Sequence, residues 1–95
     1  MFRVEIDFKP ELDDVDRYCE AVDEIFEGRN MPCLHRGEYS RVYGDTGNPK
    51  DFGILYSAVS RVKHSPWIVK GIRDAHFDNG RTRDTLMTNF FKAAL

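Results

Sequence analysis

Phe2-Arg3-Val4-Glu5-Ile6-Asp7-Phe8-Lys9 sets four apolar residues in strict alternation with four charged ones. That is the period-2 pattern of a strand with one face on a core and the other on water. It predicts a first strand with Phe2, Val4, Ile6 and Phe8 inward and Arg3, Glu5 and Asp7 on an open, polar face. Just downstream, Pro10 suits the first position of a helix, and Glu11, Asp13 and Asp14 suit its first turn, where the helix dipole is positive. Leu12, Val15, Cys19, Val22 and Phe26 recur at alternating spacings of three and four, so the pattern predicts an amphipathic helix of about 17 residues ending at Gly28.

Beyond that unit, the run from Cys33 to Tyr43 is long enough for two short strands or one long strand bent near Gly37. Gly44-Asp45-Thr46-Gly47 reads as a turn. Asn48-Pro49-Lys50-Asp51 reads as a helix start in which Asn caps, Pro takes the first turn and Asp accepts from unpaired amides. Phe52, Leu55, Tyr56, Val59 and Val62 give a second amphipathic helix that the pre-proline residue Ser65 ends or kinks. Ser65 to Gly71 reads as one extra helical turn that plants Trp67 in the core. Ile72 to Asp78 is expected as a strand closed by the Asn79-Gly80 turn. Thr82-Arg83-Asp84 is expected to cap a last helix carrying Leu86, Met87, Phe90, Phe91 and Leu95 on one side. The order βαββαβ plus a C-terminal helix predicts a single α+β, ferredoxin-like domain over residues 1–95, with helices on one face of the sheet. An uncovered polar face on so small a chain invites a second copy, so a homodimer is expected.

Composition narrows the function classes. Ninety-five residues leave room for one domain, and 41% hydrophobic with 13% aromatic content is enough for one modest core. No apolar run reaches the ~18 residues of a membrane span and the chain opens on alternation, which gives the expectation of a cytoplasmic protein without membrane contact. Cys19 and Cys33 are too few and too far apart for a disulfide framework or a structural zinc site, and are expected as small buried hydrophobes. The net charge of −2 hides an asymmetry: residues 1–28 hold ten acids and three bases, residues 29–95 six acids and eleven bases. This reads either as a solvated acidic helix or as an anion-binding face elsewhere on the molecule. No Gly-Lys-Ser/Thr follows Gly44 or Gly47, no serine sits in a nucleophile elbow, and His35, His64 and His76 lack zinc-helix spacing.

Two blocks carry a family resemblance. Met1 to Phe8, ending in the apolar-Asp-apolar triplet Ile6-Asp7-Phe8, resembles the opening of the virulence-associated protein D (VapD) family. Pro66-Trp67-Ile68-Val69-Lys70-Gly71-Ile72-Arg73-Asp74 is similar to that family's Trp-Ile followed by Val/Ile-Arg-Asp, and Val42-Tyr43 falls where the family has an apolar-Tyr pair. Where the family shows Gln-Gly-Ser before that pair, this chain has Tyr39-Ser40-Arg41. The resemblance implies a ferredoxin-like fold similar to the small dimeric subunit of the CRISPR spacer-acquisition machinery. It also implies a homodimer and toxin–antitoxin endoribonuclease activity, with an antitoxin protein as a further partner.

Asp7 is where the residue-level reading and the resemblance meet. Two facing carboxylates across a two-fold axis could share a proton or hold Mg²⁺ or Mn²⁺ against a phosphodiester, whereas an Asp7 paired with Arg3 or Arg73 would be structural. Arg73 is the candidate phosphate ligand. It is expected on the face opposite Asp74, because the two are adjacent in a strand. His76 shares a side with Asp74 and suits proton transfer, since histidine as a residue type titrates near neutrality. Tyr39 and Tyr43 are candidate platforms for single-stranded RNA bases. The leading expectation is an endoribonuclease with Asp7 and Arg73 at its centre. The alternative is a non-catalytic ferredoxin-like interaction module.

Overall fold

A computed structural model describes residues 2–48, 50–88 and 90. Its elements are β1 (Arg3–Phe8), α1 (Val15–Glu27), β2 (Cys33–Arg36), β3 (Ser40–Gly44), α2 (Asp51–Lys63), α3 (Pro66–Gly71), β4 (Ile72–Asp78) and β5 (Arg83–Thr85). The five strands form one sheet in the order β2-β3-β1-β4-β5, every neighbour antiparallel. The chain is therefore α+β, with β1 at the centre. The alternation of β1 acts as its spacing requires. Val4, Ile6 and Phe8 are buried with Cys19, Val22 and Phe26 of α1, Leu55, Ala58 and Val62 of α2, and Ile68 and Val69 of α3. Phe2 packs at the margin of the same core. Among the described residues, no helix is long and apolar enough to cross a membrane.

Five expectations are corrected. The first helix begins at Val15 rather than Pro10, because Lys9 N–H still donates to Gly71 O at 2.9 Å. The chain is thus held in sheet-like pairing beyond Phe8 and must turn through Pro10–Asp14 before it can coil. At the second helix start, Asp51 folds back. Its carboxylate accepts from Thr46 N–H at 2.7 Å, Asn48 N–H at 2.9 Å and the Thr46 hydroxyl, which ties the loop to α2. Pro49 lies outside the described residues.

Trp67 is not in the core: it is 40% exposed, 5.2 Å from the ring of Tyr18, with the Arg17 guanidinium 4.8 Å from its centroid. In so short a helix one face only can point inward, and Ile68 and Val69 occupy it. Arg83-Asp84-Thr85, expected as a helix cap, instead forms β5 against His76, Phe77 and Asp78. Asn79 closes that hairpin through its side-chain oxygen, which accepts from Arg81 N–H and Thr82 N–H, with Gly80 at φ 90°. The capping hydroxyl is that of Thr85, which accepts from Met87 N–H at 3.1 Å. Met87, Thr88 and Phe90 are helical, while Phe91 and Leu95 of the expected tail helix lie outside the described residues. Lastly, Cys33 is half-buried and not a core residue, its thiol donating to His35 O.

Candidate functional site

In an antiparallel sheet, residues directly opposite one another share a face, so register alone maps the open side. Asp7 lies between Ser40 and Asp74, Glu5 between Val42 and His76, and Arg3 between Gly44 and Asp78. The site that emerges is acidic. Asp7 of β1 and Asp74 of β4 are direct cross-strand partners, an arrangement that is destabilising by roughly 0.2–1 kcal/mol for like charges. Among the described residues Asp7 makes no ion pair, so the pairing with Arg3 or Arg73 is absent from this structure. Asp74 holds one oxygen on its neighbour's Ala75 N–H at 3.0 Å and turns the other toward His76 Nδ1 at 3.7 Å. That nitrogen is enclosed without a hydrogen-bond partner among the described groups, in a side chain 18% exposed.

Arg73 is better placed than strand alternation allows. The register shifts between Asp7 and Phe8, whose partners are Asp74 and Ile72, so Arg73 is the extra residue of a β-bulge. Ile72 and Ala75 are both buried, and the two residues between them are not. A bulge re-aims side chains in this way, and it turns Arg73 and Asp74 outward together. The expectation that they point to opposite faces is corrected. Arg73 is exposed, with no hydrogen bond or ion pair among the described groups.

The two tyrosines part company. Tyr39 lies in the turn between β2 and β3, and its carbonyl accepts from Phe8 N–H at 2.7 Å, which places it at the Asp7 end of the sheet. The neighbouring Glu38 carboxylate, chiefly through its charge, pushes the phenol pKa up. Tyr43 is fully buried on the helix side, stacked on Phe26 with ring centroids 4.3 Å apart, and donates its hydroxyl to Asp23 at 2.6 Å. It has no face to offer a base. Burial first, then the bond to Asp23, raises its pKa far beyond the ordinary range. The Cys19 thiol is likewise pushed up, chiefly by burial.

No protein-family model, curated protein or solved structure matches this chain. Its chemistry is therefore read from its own geometry.

A second acidic cluster, Asp23, Glu27 and Cys33, brings its ligand-type atoms within 4.8 Å of one another. Its charge is already met. Arg36 bonds both carboxylates, and Arg41 Nε donates to Asp23 at 3.1 Å while its Nη1 is held by Gly37 O and Ser40 O. A cation there would have to face two guanidiniums. The open-face corner has no such compensation at Asp7, which makes no ion pair among the described residues.

Proposed function

We propose that this chain is an endoribonuclease of the toxin–antitoxin kind, similar to the virulence-associated protein D family, acting as a homodimer on single-stranded or lightly structured RNA. The observation that carries the proposal is the direct opposition of Asp7 and Asp74 beside His76 on an uncovered face. Like charges held together against their repulsion are the kind of local conflict that concentrates at functional sites. Helices on one side only, with strand order β2-β3-β1-β4 and β5 appended, support a ferredoxin-like reading of the fold. The polar open side supports a second copy as its cover, and an antitoxin protein is the further partner.

The roles follow from placement. Arg73, turned outward by the bulge, holds the scissile phosphate and its developing charge. His76, oriented by Asp74, takes the proton of the ribose 2′-hydroxyl as that oxygen attacks phosphorus. Asp7 gives the departing 5′-oxygen its proton as general acid. In a metal-dependent reaction Asp7 and Asp74 would instead hold a divalent ion, which would supply Lewis-acid stabilisation of the phosphate. Tyr39, at the same end of the sheet, offers a stacking face to a neighbouring base.

Purified protein is incubated with labelled RNA with and without Mg²⁺ or Mn²⁺, beside the Asp7→Asn variant. Cleavage by the parent and its loss in a variant that still folds and dimerises is the expected result. A parent that never cleaves, with Asp7→Asn altering only dimerisation, would instead identify the face as an interaction surface.

A further inference from the structure

Part of the basic excess of residues 29–95 lies on the helical layer, away from the sheet face. Among the described residues Arg17 pairs with Asp14, Arg36 and Arg41 with Asp23, and Arg83 with Glu5. Arg29, just past the end of α1, and Arg61, in the last turn of α2, have no such partner among the described residues, nor do Arg3, Arg73 and Arg81, but only Arg29 and Arg61 share the walls of the same hollows on the helical layer. Two adjoining hollows of about 280 and 290 Å³ on the helical layer both have these two arginines in their walls. One is completed by Ile25, Ile68, Trp67 and Ser65, the other by Ser57, Ser60 and His64.

Arg29 is fixed by neutral groups. Its Nε donates to Ser57 Oγ at 3.1 Å and its Nη1 to Ile25 O at 2.9 Å, which leaves Nη2 uncommitted. Arg61 spends only Nη1, on Ser65 Oγ at 3.3 Å. Cations do gather at helix C-termini, but each such end carries only about half a charge, less than one guanidinium. Glu24 lines the first hollow and forms no ion pair with either arginine. Forked N–H donors with hydroxyls beside them match the oxygens of a phosphate, and pre-positioned donors lower the cost of binding one.

We infer that this groove binds a small organic phosphomonoester, the phosphate between Arg29 and Arg61 and the apolar body along Ile25, Ile68 and Trp67. The site lies on the helical layer and stands or falls independently of the acidic corner on the sheet.

Trp67 is the sole tryptophan of the chain and a wall of the hollow, so its fluorescence reports occupancy. Adenosine 5′-monophosphate, inorganic phosphate and adenosine are titrated at constant ionic strength, by fluorescence and calorimetry. The nucleotide is expected to bind saturably and more tightly than inorganic phosphate, with adenosine weaker still. Arg61→Gln, on an exposed side chain, should melt like the parent and bind about tenfold more weakly or worse, with Arg61→Lys between them. Arg29→Lys provides a second variant on the opposite wall, with the same direction of effect. No saturation by the nucleotide up to about 10 mM, equal binding of adenosine, or unchanged binding in folded Arg61→Gln would each overturn the inference and leave the arginines as helix-end charges.

Discussion

Two aspartates on opposite sides of the same sheet have opposite fates. Asp23 on α1 accepts from Arg36, Arg41 and the Tyr43 hydroxyl, with its side chain 17% exposed. Asp7 on β1 faces another carboxylate and makes no ion pair among the described groups. A carboxylate whose lone pairs and charge are all met is a structural brace, because moving it would strand its partners. One whose surroundings oppose its charge retains the capacity to bind a proton, a cation or a substrate donor. The difference between the two lies in neighbours rather than in residue type.

The sharpest way to break the comparison is at Asp7. Asp7→Asn is expected to lower RNA cleavage about a hundredfold or more, the scale of lost general acid–base catalysis. Its melting temperature should stay level or rise slightly, because one of two facing charges is gone. A clear loss of stability in urea unfolding would make Asp7 a second brace. At Asp23 the reverse is expected. Asp23→Ala leaves the Arg41 guanidinium and the buried Tyr43 hydroxyl without their acceptor and should cost about 2–4 kcal/mol by denaturant unfolding. A change under about 1 kcal/mol would place the cluster among ordinary surface ion pairs.

Trp67→Ala should cost about 1–2 kcal/mol, less than the ~3–5 expected of a core indole, because part of the ring is already in water. Calorimetric melting of the variant decides between the two values.

The smallest effect concerns Asp51. Burial pushes its pKa up, but hydrogen bonds from Thr46 and Asn48 outweigh this and hold it below the ordinary 3.8. A depressed folded pKa adds stability above the unfolded value and loses it as pH falls through the folded one. Urea midpoints at pH 7 and near pH 3 should therefore fall further apart in the parent than in Asp51→Asn.

β1 and β4 were legible because period-2 alternation and an Asn-Gly turn are local signals, and both strands end where those signals place them. β5 was not, since Arg-Asp-Thr is three exposed residues with no periodicity, and only pairing with β4 makes it a strand. The bulge at Arg73 is a property of two strands together, so the sequence of one alone assigns Arg73 and Asp74 to opposite faces. For the same reason Asp74 could not be matched to Asp7, although its alternation with buried Ala75 did place it beside His76. In Val42-Tyr43, two adjacent apolar residues fit either face. The ring that stacks on Phe26 decides which one goes inward.

The register that places Arg3 opposite Asp78 joins segments roughly seventy residues apart. At ~5–20 residues per second of synthesis, β1 leaves the ribosome about 4–15 s before its β4 partner exists. During that interval Val4, Ile6 and Phe8 are covered in turn by α1, α2 and α3, while β3 pairs with only one edge of the strand. One edge of the strand stays unpaired until β4 arrives. The charged residues set between those apolar ones, Glu5 and Asp7 among them, therefore also serve during translation, keeping an unpaired strand from finding the wrong neighbour.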